Sequence, residues 1–172
     1  MLTIVAVLII VLGLMVNIAR DVRERSATQL TQRLLANLDE GMSRYMARNE
    51  GRVPDIALFI PPEAPLADEE TLLRSAVKNN EDFVRLLRME GELSEEIFGE
   101  LPISIYDEAT LRDVWGVPIV FMPGRHPQVG MAPQDAPFFV SAGPDRRFRT
   151  RDDNLYSYET SPSRSSPRPT AP

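Results

Sequence analysis

Three acidic side chains lie close together in a polar stretch near the C-terminus of the chain. Asp145, Asp152 and Asp153 follow an apolar run at 138–140. The arginines set between or beside them are Arg146, Arg147, Arg149 and Arg151. Carboxylates gathered in one loop can bind a hard cation, which takes oxygen ligands. Arginines can instead bind an anion, and a mixed loop can also be a solvated turn held by weak ion pairs. The residues alone leave these three interpretations open.

The composition excludes several classes of chemistry. The 172 residues contain no cysteine, so disulfides, thiolate metal sites and a cysteine nucleophile are excluded. The net charge of −6 gives no overall attraction to nucleic acid, and we expect no nucleic-acid partner. The single histidine, His126, lies in a Gly/Pro-rich stretch, where we expect it to be solvated. No nucleophile elbow or phosphate-binding glycine loop is present, and no acid pair has the apolar surroundings that general acid catalysis needs. We therefore do not expect an enzyme.

The first 19 residues predict a transmembrane helix. Met1 to Ala19 carries no charge, and as a helix it would span roughly 28 Å, close to the hydrocarbon thickness of a bilayer. A cleaved signal peptide is the alternative, but no basic region precedes the apolar run and no small-residue cleavage site follows it. We predict a retained membrane segment at 1–19.

The helix is predicted to continue beyond the membrane segment, over 20–50. Apolar residues recur there at steps of three and four, which is typical of an amphipathic helix. This stripe contains Leu30, Leu34, Leu38 and Met42, and we expect it to pack on a globular head. Gly51 and Pro54 give the stop signal.

A globular head is predicted over 51–158, with a helical insertion at about 56–110. Asp68 is placed to cap a helix that begins at Glu69, and Asn79-Asn80 is taken as a break before a second helical stretch that ends at Gly91. Short strands are predicted at 103–105, 117–122 and 138–140. A small antiparallel sheet packed on the long helix is the economical α+β arrangement. The Ser/Pro/Arg-rich tail, 159–172, is predicted to be disordered.

Three sequence motifs in order resemble the type IV pilin-like family, and within it the major pseudopilins of type II secretion. They are NEGRVP at 49–54, DVWGVPIVF at 113–121 and FVSAGPDRRFRTRDDNLYS at 139–157, and they follow the membrane helix with its amphipathic continuation. The middle of the chain, 56–110, matches no part of the family pattern. The resemblance implies a pilin-like fold. We also predict that Trp115 is a core anchor, with an exposed aromatic that contacts a partner as the alternative, and that Gly116 is needed for the turn into the strand at Val117.

The resemblance also implies a function. The protein would be a structural subunit of a pilus-like filament for protein secretion, and it would form a homo-oligomer through its N-terminal helix. Its partners would be membrane lipid, other pseudopilins and inner-membrane secretion components. It would sit in the bacterial inner membrane with the head in the periplasm or outside. The alternatives are a minor type IV pilin, or a single-pass membrane protein whose extracytoplasmic domain binds partners without polymerising.

The start of the chain departs from the family pattern. Family members begin with a basic leader and a G-F-T-L-x-E motif, whereas this sequence begins MLTIVAVLII. Family members often continue in this way after the glutamate, so we hypothesise that Met1 is internal to a longer prepilin. A basic leader would also reverse the topology that Arg20, Arg23 and Arg25 suggest by the positive-inside rule.

Finally, the resemblance implies a calcium site in the polar loop. In pseudopilins this loop binds Ca²⁺ through carboxylates at the D-x6-D-D spacing and through backbone carbonyls. Asp145, Asp152 and Asp153 keep the spacing, the carbonyl of Ala142 is a further ligand, and Asn154 offers an amide oxygen. Arg146 and Arg149 stand where the family commonly has glycine. If either takes a positive φ, it does so at a cost that glycine avoids.

Overall fold

The computed structural model describes residues 2–61, 64–65, 67–89, 101 and 104–160, with the backbone alone for 2–12, 14 and 160. It confirms an α+β chain in which a long N-terminal helix accompanies a small antiparallel sheet. The elements are α1 (Leu2–Arg48), α2 (Glu69–Met89), β1 (Val120–Met122), a 3-10 turn (Pro133–Asp135), β2 (Phe138–Ser141), β3 (Leu155–Tyr156) and α3 (Ser157–Thr160).

The sheet has three strands in the order β1-β2-β3, with both pairs antiparallel. Phe121 pairs with Phe139 across β1 and β2, and Val140 pairs with Tyr156 across β2 and β3. The burial pattern of β1 and β2 is continuous rather than alternating. Both faces of these strands are therefore covered, one by α1 and α2 and the other by loop residues together with Leu72 and Ala76 of α2.

The second half of α1 forms part of the core. Leu34, Leu38 and Met42 are buried as predicted, and they belong to a cluster that includes Phe83 of α2 and Phe139 of β2. Leu30 was also predicted to be buried, but it is 47% exposed, so the prediction was wrong for that residue. The apolar stripe thus begins before the buried part of the helix does. Thr31 is the first residue of α1 with a described side chain that is buried.

The first half of α1 stands clear of the head. Every described side chain from Gly13 to Ser26 is exposed, and those of Met15, Val16, Ile18 and Val22 are 51–63% exposed. Within the part of the chain that is described, no helix holds an apolar segment of the length and hydropathy that crossing a membrane requires. Most side chains of the predicted transmembrane segment, 1–19, lie outside the described residues, so that segment stays a prediction.

Helix α2 begins as predicted but does not break where expected. Asp68 Oδ1 accepts the N–H of Thr71 at 3.0 Å, which caps the helix before Glu69. The helix then runs without interruption through Asn79 and Asn80, both of which are buried. The predicted break was wrong because this polar pair has partners on other elements.

The two asparagines close the open edge of the sheet. Asn79 accepts the N–H of Phe121 at 2.8 Å and donates to its carbonyl at 3.0 Å, as the backbone of a neighbouring strand would. Asn80 likewise accepts the N–H of Leu111 and donates to its carbonyl, both at 2.8 Å. It also donates to the carbonyl of Ile119 at 2.6 Å. An unpaired strand edge is a site of unwanted pairing, and here two side-chain amides occupy it.

Three predicted features fall wholly or partly on residues outside the described set. These are the end of the second helical stretch at Gly91, the start of the strand at 103–105, and the tail after Thr160. Ile105 is described and is buried, and its neighbour Tyr106 forms an isolated bridge with Leu111.

Candidate functional site

The predicted site residues lie in one loop, 142–154, which joins β2 to β3 and is called the Asp/Arg loop below. It is built from consecutive turns: the N–H groups of Arg146, Thr150 and Asp153 donate to carbonyls three residues earlier, at 3.1–3.3 Å. Gly143 has a φ of +68°, and a Cβ there would overlap the carbonyl oxygen of Asp153. The two ends of the loop can therefore cross only because this position is glycine.

Phe148 anchors the loop to the rest of the head. Its ring is 1% exposed and lies 4.9 Å from the ring of Phe59, centroid to centroid. Its N–H donates to Glu69 Oε1 at 2.8 Å, and its carbonyl accepts Asn154 Nδ2 at 3.1 Å. Both polar groups of a buried backbone unit are thus satisfied by side chains, one from α2 and one from the base of the loop.

The structure places the predicted ligands in different surroundings. Asp145 Oδ1 accepts the N–H of Arg147 at 2.9 Å, which is an Asx turn, and Asp152 is exposed. Asp153 is partly exposed, while Ala142 and Asn154 are buried. In the described residues, no three acidic or histidine side chains form a group that could hold a metal ion.

Asn154 carries the feature that fits a cation best. Its Nδ2 bonds to the carbonyl of Phe148, but its buried Oδ1 has no hydrogen-bond partner among the described groups. A buried acceptor without a partner costs free energy, on the order of 1–3 kcal/mol. An amide oxygen is also a ligand type that calcium uses, so the oxygen donors of this loop fit a hard cation in kind.

The arginines of the Asp/Arg loop surround this site with positive charge. Arg146 has a φ of +61°, the left-handed conformation that costs a non-glycine residue free energy, whereas Arg149 is not among the residues with a positive φ. The side chains of Arg146, Arg147, Arg149 and Arg151 are all exposed. Their charges are therefore screened by solvent, which weakens their effect on an ion in the loop.

Sequence reasoning missed the residue that joins the Asp/Arg loop to its neighbours. Asp113 is 1% exposed, and its Oδ1 accepts the N–H groups of Trp115 at 3.0 Å and Val117 at 2.9 Å. Its Oδ2 accepts the hydroxyl of Ser141 at 2.6 Å. The carboxylate therefore shapes the turn 113–117, called the neck turn below, and also holds the end of β2. An Asp two residues before a Trp-Gly pair is a turn signal that could have identified the first of these roles.

The predictions for Trp115 and His126 were wrong, whereas the prediction for Gly116 was confirmed. Trp115 was predicted to be a core anchor, but it is only partly buried and belongs to neither core cluster. Gly116 has a φ of +86°, as the predicted turn requires. His126 was predicted to be solvated, which is wrong: it is 3% exposed, and its Nδ1 accepts the N–H of Gln128 at 3.3 Å.

Burial raises the pKa of the Asp113 carboxyl above its ordinary value of 3.8, and the hydrogen bonds from Ser141, Val117 and Trp115 act against this rise. The folded protein then holds this proton more tightly than the unfolded chain does. Its contribution to stability is fully present below the ordinary pKa and is lost as the pH rises through the raised one.

We therefore expect Asp113→Asn to make the free energy of unfolding less dependent on pH in this range. The variant keeps an oxygen for the Trp115 and Val117 amides, but it has no proton to lose between pH 4 and neutrality. Urea unfolding of the full chain across that range measures the effect. Asp107→Asn is the control of opposite sign, because a hydrogen bond from the Thr110 amide lowers the pKa of Asp107. A wild-type profile that is parallel to that of Asp113→Asn would contradict the prediction.

Comparison with known proteins adds no relative to this geometry: no family model, no curated protein and no solved structure matches the chain.

Proposed function

We propose that the protein is a structural subunit of a pilus-like filament that serves protein secretion. The observation that carries the proposal is helix α1, one continuous helix from Leu2 to Arg48. Its second half is part of the head core, while the exposed apolar residues Met15, Val16, Ile18 and Val22 lie on the half that stands clear of the head. The sequence motifs that resemble the pseudopilins support the same function.

The exposed apolar residues explain what the free half of α1 would do. Met15, Ile18 and Val22 follow one another at steps of three and four residues, which places them on one face of the helix, and exposed apolar faces mark interaction sites in proteins. In this proposal the N-terminal helices of many copies pack side by side, first in the inner membrane and then in the filament core. The head lies on the outer side of that membrane, where it meets other pseudopilins, and the inner-membrane secretion components contact the helix.

The chain contains no cysteine, which allows a direct test by disulfide cross-linking. Full-length chains that carry both Ile18→Cys and Val22→Cys, expressed in membranes with the secretion components, are oxidised and separated without reductant. We expect a ladder of multimers, because each copy contacts more than one neighbour and carries two thiols that can join different copies. The double variant Ser43→Cys,Ala47→Cys is the matched control, since both positions are exposed at the head end of the same helix with the same spacing, and it should not give the ladder. Dimers alone would contradict polymerisation and favour a single-pass protein with a non-polymerising interaction domain.

We propose further that the Asp/Arg loop binds calcium through Asp145, Asp152 and Asp153, with the Ala142 carbonyl and Asn154 Oδ1 as additional ligands. The buried Asn154 oxygen without a partner supports this proposal. Calcium would supply a positive charge that draws the oxygen ligands together and holds the loop. The neighbouring Glu69 and Phe148 would keep the loop anchored while the ion exchanges.

Thermal melts of the full chain test the calcium proposal. We expect calcium to stabilise the fold by mass action, by about 2.7 kcal/mol when the free ion is a hundredfold above its dissociation constant. One melt is recorded in excess EDTA and one in millimolar calcium. Asp152→Ala should remove the difference, whereas Asp107→Ala, an exposed acid of another turn, should leave it in place. Coincident wild-type curves would show that the three carboxylates are ordinary turn residues.

A further inference from the structure

A series of hydrogen bonds runs from the Asp/Arg loop to helix α1, buried from Gly143 to Asp113 and partly buried beyond it. At the loop base, the N–H of Gly143 donates to Ser141 Oγ at 3.1 Å. The Ser141 hydroxyl donates to Asp113 Oδ2 at 2.6 Å, and Asp113 Oδ1 holds the neck turn. The N–H of Val114 in that turn meets Thr31 Oγ1 of α1 at 3.5 Å.

We propose that Asp113 is a positioning residue that couples the Asp/Arg loop to the point where helix α1 enters the head. Its two oxygens serve different segments: Oδ1 binds the amides of the neck turn, and Oδ2 binds Ser141 at the start of the loop. A displacement at the loop base therefore reaches the neck turn through one carboxylate.

Burial makes the first part of this connection strict. Ser141 is 0% exposed and Asp113 is 1% exposed, so solvent cannot replace the bond between them, whereas the Val114 donor that meets the buried Thr31 is itself 38% exposed. Breaking one link leaves a buried polar group without a partner, which is costly. We therefore expect these groups to move together. A change in the close approach of Gly143 to the Asp153 carbonyl would then shift the neck turn as well, and would not stop at Ser141.

The inference gives the Asp/Arg loop a role in the proposed filament, and in that sense it rests on the proposed function. Among the described side chains of α1, Thr31 is the first that is buried, and it follows the half of the helix that we assign to assembly. The state of the loop would then set how the assembling helix is held by the head.

The single tryptophan makes the coupling measurable, because Trp115 lies within the neck turn. In the full chain, Gly143→Ala disturbs the loop base, since its Cβ would overlap the Asp153 carbonyl. We expect a shift of Trp115 emission and faster amide hydrogen exchange at Val114 and at Thr31 to Leu35, on the order of fivefold. Gly51→Ala is the matched control: Gly51 also has a positive φ, but nothing lies within 4 Å of its added Cβ.

Ser141→Ala tests the route. In that background the response of Trp115 to Gly143→Ala should disappear, because the link to Asp113 is absent, and this double-mutant cycle isolates the coupling. If Gly143→Ala does not fold, Glu69→Ala disturbs the loop at Phe148 instead and is expected to give the same pattern with a smaller shift.

Two results would overturn the inference. One is faster exchange within 144–153 with unchanged Trp115 emission and unchanged exchange in α1. The other is a Trp115 response that persists undiminished in Ser141→Ala. The measurement uses no filament and no calcium, so absence of a cross-linking ladder would count against the proposed function alone.

Discussion

Replacement of Leu38 by aspartate is expected to cost about 4 kcal/mol or more of the free energy of unfolding. Leu38 is 0% exposed and lies in the core cluster with Leu35 and Phe139. The substitution removes the apolar contacts of the leucine and places a carboxyl group within a cluster of buried apolar side chains. Since domains of this kind are stable by about 5–15 kcal/mol, the substitution would remove a large share of the total free energy of unfolding.

Urea unfolding of the full chain, followed by circular dichroism, measures this effect. Leu30→Asp is the matched control, because Leu30 belongs to the same apolar stripe about two helical turns earlier but is 47% exposed. Its effect should stay within about 0.5 kcal/mol, as for most surface substitutions. Equal losses for the two variants would mean that the head does not begin at Thr31.

Asn80→Ala is expected to destabilise the protein by about 3 kcal/mol, which is large for the loss of a single polar side chain. The amide of Asn80 satisfies the Leu111 N–H and the carbonyls of Leu111 and Ile119, and the asparagine is 0% exposed. Truncation leaves the buried Leu111 N–H and Ile119 carbonyl without this partner, at about 1–3 kcal/mol for each group that finds none, whereas the Leu111 carbonyl still accepts the N–H of Ile119 at 3.0 Å.

The same unfolding experiment with Asn49→Ala provides the comparison. Asn49 is partly exposed, and its Nδ2 makes one described bond, to the carbonyl of Tyr45. Its loss should cost no more than about 1 kcal/mol. We also expect Asn79→Ala,Asn80→Ala to self-associate on concentration, because the edge of β1 becomes available for strand pairing. A double variant that is monomeric and as stable as the wild type would show that the asparagines do not guard this edge.

The parts of the fold that were predictable from the sequence depend on local pattern. The steps of three and four residues in α1 and the Asp68 cap of α2 both arise within a single element, and the structure confirms them. The error at Leu30 has a physical cause: an apolar stripe shows which side of a helix is buried, but not where the buried part begins.

Longer-range contacts were beyond sequence reasoning. The side chain of Asn79 bonds to Phe121, 42 residues later, so within the local sequence it looked like a helix break. Glu69 and Phe148 are 79 residues apart, and nothing in either local sequence indicates that they meet. β3 has only two residues, too few for an alternating pattern.

The candidate site was predictable to the same extent. The D-x6-D-D spacing located the loop, since it is a property of the sequence. The buried oxygen of Asn154 and the carboxylate of Asp113 became apparent only when distant segments were brought together. Trp115 shows that residue type alone can also mislead. Aromatic residues are usually buried, but this side chain lies on a turn and is only partly buried.

Helix α1 gives the head a long lever arm. From Leu2 to Ser26 the helix extends about 37 Å beyond the head, at about 1.5 Å per residue. A rotation of about 10° where it enters the head would move its far end by about 6 Å, comparable with one helical turn of 5.4 Å. The contact between Thr31 and the neck turn lies where the helix enters the head. A sideways force on the N-terminal end of the helix therefore acts on this contact as a torque. Small changes in the packing around Thr31 are therefore magnified into large changes in where the N-terminus lies.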